Sequence, residues 1–486
     1  MKPTIGLEIH VQLATASKLF CSCPASSFGA PPNQNICPIC AGDPGVLPVA
    51  NRQAVERLIR MGLALNCAIA ERSVFARKSY FYPDLPKNYQ ISQYDLPLAK
   101  GGRLQYFSGG EKRTARIHRI HLEEDAGKLL HAIGAQELAF SLVDFNRTGV
   151  ALAETVTEPD FNNAQEANDF LTTLRTTLRS LNVSNCDMEK GEFRVDVNVS
   201  VAPEGAALGT RVEIKNLNSF KAVRDALEYE IKRQKEALAG GEKIRQETRL
   251  WDVKNAATEA LRSKEEASDY RYFAEPDLKP LIVSREWIER VRGGLAPLPV
   301  SRAESYEGRL GLGSKEAQTI AFHEDSGVAA LFEETVGLCS VNGQAVEPKT
   351  AANWILNDLL GNLKDKNRSV ADSGMTAERL AGFLKLVRAE GLSSRLAKDL
   401  FAKMLADPAL EAGSAFKASG VTLLSSEDAL LVFIREALQE NPRAVEEFKS
   451  GKERAIQSLV GAVMKKTKGQ AHPQKLQELL RRELTR

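Results

Sequence analysis

The sequence predicts an α+β protein, in which an N-terminal part built on an antiparallel sheet is followed by all-α segments. Two observations carry this. Up to about residue 283, runs with a two-residue polar–apolar alternation are interspersed with a few helical stretches, without a strict βαβ rhythm. Past the proline-containing stretch LAPLPVSR at 295–302 the strand signals stop and helical periodicity takes over. A chain of 486 residues also exceeds one ordinary core.

Taken in order, the first strand is GLEIHVQL at 6–13. Helices are expected at roughly 51–69, 163–182 and 219–239, the last opened by Ser219 as N-cap and stopped by Gly240-Gly241. The run RVDVNVSV at 194–201 and the alternating segment at 211–215 flank a Pro203-Glu204-Gly205 turn and are expected to pair as a hairpin. Beyond 302, segments 376–390, 426–440 and 474–485 read as amphipathic helices, with a second break around Asp407-Pro408 and Gly413. The expected domains are therefore 1–294, 295–407 and 408–486.

Composition is that of an ordinary globular chain, 43% hydrophobic and 26% charged, with a formal net charge of +2. A nucleic-acid partner must therefore be sought in local patches. The N-terminus lacks the apolar stretch of a secretory signal, and no apolar run approaches the roughly 20 residues of a membrane helix. A cytoplasmic location without membrane partners is expected, where the seven cysteines are reduced.

One face of the predicted sheet is unusually polar. Residues i and i+2 of a strand point the same way. Glu8, His10 and Gln12 thus share a face opposite Leu7, Ile9, Val11 and Leu13. Arg194, Asp196, Asn198 and Ser200 share one opposite four valines, and Arg211, Glu213 and Lys215 follow suit. Glu154 and Glu158 share a phase, as do His121, Glu123 and Asp125. For any single strand, a solvated face explains such alternation. Five faces rich in Glu, Asp, His, Asn and Arg point instead to a metal–nucleotide site. Oxygen ligands with an imidazole suit Mg²⁺ or Mn²⁺, and Arg194, Arg211 and Lys215 are expected to hold phosphate. No Walker motif is present: GRLGLGSK at 308–315 has the wrong spacing and reads as a helix-to-loop turn.

Cys21-x-Cys23 and Cys37-x-x-Cys40 form two short knuckles, the donor set of a structural Zn²⁺ site with no position left open for water. Cys67, Cys186 and Cys339 are isolated and expected to be packing residues.

The same segments, GLEIHVQL (6–13), CPICAGDPGVLP (37–48), KSYFYPDLPKNYQISQYDLP (78–97), HLEEDAGK (121–128), MEKGEFRVDVNVS (188–200), TRVEIKNLNSF (210–220), SDYRYFAEPDL (268–278) and SLVGAVMKKTKGQAHP (458–473), resemble in order the B subunits of the aspartyl/glutamyl-tRNA amidotransferases. The resemblance implies a cradle with a glutamine-synthetase-like sheet, a helical domain and a small helical tail. It implies ATP- and Mg²⁺-dependent phosphorylation of the side-chain carboxylate of Glu-tRNA(Gln) or Asp-tRNA(Asn). Ammonia from glutamine then displaces phosphate. It is released by an amidase, the A component of a heterotrimer that also holds a small C component. Family metal and ATP positions map onto Glu8, His10, Glu123, Glu124 and Glu154, with Asp196, Asn198 and Glu213 completing the shell and Lys215 and Arg194 on phosphate. Simple alternation separates Glu123 from Glu124, so a bulge or strand end at Glu124-Asp125 is expected to bring both in. Family members usually carry proline at the positions of Ala151 and Ala274, which removes a backbone restraint here.

The C-terminal stretch is locally basic, including Lys465, Lys466 and Lys468. Composition alone fits a solvated helix face. The resemblance points to contact with the tRNA body. Two other readings remain at this stage: a non-catalytic tRNA-binding scaffold, and an ATP-dependent synthetase acting on a free amino acid.

Overall fold

The computed structural model describes all residues except 135, 264–269, 341–345, 366–367, 420–425, 468–470, 472 and 486. The chain forms two compact units, Met1–Ser301 and Arg302–Arg486.

The strands of the first unit, in chain order, are β1 (Lys2–Gln12), β2 (Ala68–Ile69), β3 (Arg72–Ser73), β4 (Ala76–Ser79), β5 (Tyr89–Ser92), β6 (Ala99–Ser108), β7 (Glu111–Glu124), β8 (Lys128–Ile133), β9 (Gln136–Asp144), β10 (Ala151–Thr157), β11 (Phe193–Ala202), β12 (Val212–Leu217), β13 (Glu247–Asp252), β14 (Ala257–Ser263), β15 (Phe273–Ala274) and β16 (Leu281–Ile282). Nine of them make one sheet in the order β14-β13-β12-β11-β1-β10-β7-β6-β2. It is antiparallel apart from the β12–β13 pair, which is parallel. The expected hairpin of β11 and β12 forms, with Asn198 opposite Glu213. A smaller sheet, β15-β4-β5, sits beside the end of β7, tied to it by the Ile91 amide on Glu124 and the Leu122 amide on Gln93.

The alternation of β1 builds the unit. Ile5, Leu7, Ile9 and Val11 are buried, while Glu8, His10 and Gln12 keep partial access to solvent. The apolar side joins one core with Val195, Val197 and Val199 of β11 and with Phe170, Leu171, Leu174 and Leu178 of the Ala164–Ser180 helix. Burying side chains of this size contributes about 1.5–3 kcal/mol each, so a one-residue slip of β1, which would exchange its faces, is strongly disfavoured.

Helix ends follow local chemistry. Asn163 caps Ala164–Ser180 by accepting from the Glu166 amide, and Ser219 caps Phe220–Ala239 by accepting from Ala222. The helix expected at 51–69 is shorter, Arg52–Ala64. It stops because Asn66 turns left-handed (φ 54) and the Cys67 amide folds back onto the Gly62 carbonyl, so 68–69 enters the sheet as β2.

In the second unit the described elements are helical. Segments expected at 376–390, 426–440 and 474–485 appear as Ala377–Ala389, Glu427–Glu440 and Pro473–Leu484. Leu430, Ile434, Leu459, Val463, Leu476 and Leu480 form a core of their own near the C-terminus. The string at 308–315 ends the Pro299–Gly308 helix and turns through Gly311 at φ +67, the helix-to-loop turn expected, after which the helix Ser314–Ala321 starts. Among the described residues no helix is long and apolar enough to cross a membrane.

Candidate metal and phosphate site

The pairing of β1 with both neighbours assembles the polar face. His10 lies opposite Glu154 of β10 on one side and Arg194 of β11 on the other, and Glu8 lies opposite Asp196. His121 of β7 lies opposite Glu154 in turn. The His10 Nε2 atom is 3.4 Å from Glu154, 3.5 Å from Glu123 and 3.8 Å from Glu8. His121 Nε2 is 3.5 Å from Glu154 and 3.6 Å from Glu123. Two overlapping groups, Glu8–His10–Asp196 and His10–Glu123–Glu154, each place their ligand atoms within 4.8 Å of one another.

Carboxylates this close repel unless cations lie among them. Burial opposes charge on His10, but the hydrogen bond to Glu154 and the field of Glu123 outweigh it and push the imidazole up to about 9. Glu154, although buried, is held well below the usual carboxylate range by His121, His10 and Lys78. Burial and neighbouring Glu154 raise Glu8. Oxygen donors with one imidazole in such a pocket fit a hard divalent cation, which would take over the neutralisation that His10 provides.

The basic side chains on this face have acidic partners. Lys215 bonds Asp196 and approaches Glu213 at 3.3 Å, while Asn198 is half-buried beside them. Arg194 donates to Asp125 at 2.9 Å. Asp125 is buried and also accepts from Gln12 at 2.8 Å, with Arg147 at 3.6 Å. Burial alone would raise Asp125, but Arg194, Arg147 and Gln12 outweigh it and lower its pKa. A depressed carboxylate stabilises the fold above its unfolded pKa, and that stability is lost as pH falls through the folded value. Asp125→Asn should therefore cost about 3 kcal/mol at pH 7, because it leaves two guanidinium groups without their buried partner. In thermal unfolding, the gap between wild type and variant should narrow from pH 7 towards pH 3; a gap independent of pH would contradict this.

Several expected placements need correction. Glu124 does not join the cluster. The strand keeps its alternation to its end, so Glu123 faces His10 while Glu124 turns to the other side, where it accepts from Lys87 and from the Ile91 amide. Glu158 does not join the cluster either, because it lies just past the end of β10. The β10–β7 register shifts at Val156/Thr157, and Glu158 pairs with His118 at 3.0 Å near the surface. Arg211 is exposed just ahead of β12.

The four cysteines converge. Cys21, Cys23, Cys37 and Cys40 bring their sulfurs within 4.8 Å of one another. The Ser17–Pro24 bridge folds the first knuckle, and the Pro38–Ala41 helical turn, closed by Gly42 at φ 78, folds the second. A hydrogen bond from Cys21, helped by the Cys37 amide and by Lys18, pulls the Cys40 thiol down to about 4. Tetrahedral thiolate coordination fits this set. Cys67, Cys186 and Cys339 are buried singly, as expected.

Sequence reasoning misses Lys18. It is fully buried, donates to the Asn35 carbonyl at 2.6 Å and lies 3.6 Å from Cys40. Its place beside a knuckle, in SKLFCSC, is the only signal for it. Lys78 and Lys87 are missed as well, because they stand on short segments of the KSYFYPDLPKNY run without a long alternating pattern. In the tail, Lys465 is exposed, Lys466 pairs with Glu436 and Glu440, and Lys468 lies outside the described residues.

Residues 3–289 match the family model described as the GatB/GatE catalytic domain, and residues 330–484 match the one described as the GatB domain. The chain belongs to the GatB family. Relatives of that family match along nearly their whole length. The B subunit of the aspartyl/glutamyl-tRNA(Asn/Gln) amidotransferase of Thermodesulfovibrio yellowstonii is 45% identical over 477 residues, 98% of each chain. The proteins of that name from Carboxydothermus hydrogenoformans and Brevibacillus brevis are 44% and 46% identical, covering 99% and 98% of this chain and 98% and 97% of their own. The catalytic-domain match includes the polar sheet face and the cysteine knuckles, so both clusters belong to the GatB part named for catalysis.

Proposed function

We propose that this chain is the B subunit of a cytoplasmic aspartyl/glutamyl-tRNA(Asn/Gln) amidotransferase, a glutamine-hydrolysing ligase. In this reading it activates the side-chain carboxylate of misacylated Glu-tRNA(Gln) or Asp-tRNA(Asn) with ATP. The amidase (A) and the small (C) components complete the heterotrimer, and ammonia from glutamine reaches the activated substrate. The buried carboxylate–imidazole cluster with basic side chains on its border is the observation that carries it.

The chemistry explains why such a cluster is needed. A carboxylate is a poor electrophile, because its leaving group would be oxide. When a carboxylate oxygen attacks the γ-phosphorus, the bond to ADP breaks and the later leaving group becomes phosphate. Two anions must therefore meet, and cations have to stand between and beside them. Glu8, His10, Glu123, Glu154 and Asp196 would hold Mg²⁺, which supplies charge neutralisation for the phosphate oxygens. Arg194 and Lys215, held in place by Asp125 and Asp196, orient the γ-phosphate, with Asn198 and Glu213 beside them. Glu124 with Lys87 lies on another side of β7, outside this shell. The four cysteines would hold structural Zn²⁺. In the tail, exposed Lys465 and neighbouring basic residues contact tRNA phosphates.

The test uses the assembled complex with Mg²⁺, radiolabelled ATP and each misacylated tRNA in turn. ADP should form only with a misacylated tRNA while glutamine is withheld, and amide product should follow its addition. The tRNA that works names the substrate. Absence of tRNA-dependent ADP from a folded, assembled complex would leave the non-catalytic scaffold as the better reading.

A further inference from the structure

Lys78 stands on β4, beside the carboxylate cluster but outside the large sheet. Its Nζ lies 4.9 Å from the centroid of the Tyr270 ring and 5.9 Å from that of Tyr80. Tyr270 packs edge-on against Tyr80 and Tyr272, and Tyr272 stacks on Tyr94 at 4.1 Å. Among the described residues, the Lys78 side chain makes neither a hydrogen bond nor an ion pair. Its neighbours differ: Lys215 is bound by Asp196, Arg194 by Asp125 and Lys87 by Glu124. Burial disfavours its charge, yet the fields of Glu123, Tyr272 and Glu154 keep it protonated well above the usual range. Contact with ring faces offsets only part of the lost hydration of an ammonium group. Three N–H donors thus remain for an incoming acceptor.

We infer that Lys78 is the receptor for the side-chain carboxylate of the misacylated aminoacyl group. It would hold that carboxylate on the β7 side of the cluster, across β1 and β10 from the Arg194–Lys215 flank. The inference rests on the amidotransferase reading. A triphosphate needs several cations, which stand along β11 and β12. A single ammonium walled by tyrosine rings matches a single carboxylate at the end of an apolar stem. The same contact has a consequence after the reaction. The amide product carries no charge, so the ammonium loses a charge-assisted bond when the amide forms, and product release is favoured over retention.

The complete complex is compared as wild type, Lys78→Met and Lys78→Arg, with the misacylated tRNA that the wild type uses. Affinity is measured for that tRNA and for the same tRNA carrying the product amide, together with the KM for ATP in tRNA-dependent ADP formation. Lys78→Met should bind the misacylated tRNA roughly 10- to 100-fold more weakly, the worth of a charge-assisted hydrogen bond. It should bind the amide-charged tRNA as the wild type does, and its KM for ATP should stay unchanged. Lys78→Arg keeps the charge and should keep the preference for acid over amide; it carries the test if Lys78→Met fails to assemble. Equal weakening for both tRNAs would overturn the inference. So would an increased KM for ATP with the preference intact, or Lys78→Arg binding acid and amide alike. A wild-type complex without tRNA-dependent ADP formation would instead sink the amidotransferase reading, and this inference with it.

Discussion

His10→Ala should lower tRNA-dependent ADP formation by roughly 10³-fold or more, the scale on which loss of a preorganised electrostatic element reduces turnover. His10 is at the centre of the cluster, within 3.8 Å of Glu8, Glu123 and Glu154. Without the imidazole, three carboxylates face one another across a gap, and a divalent cation would lose its nitrogen ligand. The variant should therefore need much more Mg²⁺ for whatever activity remains, while glutamine hydrolysis by the partner amidase stays measurable. Glu158→Ala is the matched control. It shares the sequence phase of Glu154 but pairs with His118 away from the cluster, so its ADP formation should match the wild type. Full activity of His10→Ala in a single-turnover assay would remove the metal assignment altogether.

The contrast between Glu154 and Glu158 shows where the sequence is readable. A two-residue period is enough to predict a face wherever a strand is regular. That is why alternation finds Glu8, His10, Asp196, Asn198 and Lys215, and why the hairpin of β11 and β12 is foreseeable. The period stops being a guide where a strand stops: β10 ends at Thr157, next to a register shift in which His118 is the extra residue on β7, and Glu158 lies past that end. It also misleads when distrusted. The regular alternation of β7 already separates Glu123 from Glu124, and the resemblance alone is the reason to expect them together. Lys18 and Lys78 are illegible for a different cause. Each takes its role from contacts with segments distant in sequence, Lys18 with the second cysteine knuckle and Lys78 with tyrosines near 270, and local pattern carries no trace of such contacts. Helix ends are legible where a capping side chain defines them, as at Ser219, and not at Ala64, where an asparagine in the left-handed region cuts the helix short.

The cysteine cluster should matter to stability as much as His10 matters to chemistry. Between Leu13 and Arg52, the only regular elements are a single bridge, Ser17–Pro24, and the four-residue helix Pro38–Ala41. A segment with so little regular secondary structure must offset an ordering entropy of about 1–2 kcal/mol per residue, and a cross-link lowers that cost by restricting the unfolded chain. A structural Zn²⁺ supplies that link, with apparent binding free energies on the order of 10 kcal/mol. The segment also places Lys18 in a fully buried position beside Cys40, so loss of the thiolate set would strand an ammonium in the interior. Cys40→Ser should thus abolish bound metal and lower the thermal midpoint of the first unit by roughly 10 °C, the shift expected for a loss of several kcal/mol in a domain of this size. Metal analysis of the wild type should find one Zn²⁺ per chain held by this set. Acidification should release it, because protons compete for the thiolates, and chelation at neutral pH should reproduce the variant's lower midpoint. A folded wild type without metal, whose midpoint matches that of Cys40→Ser, would show that the four sulfurs are held together by packing alone.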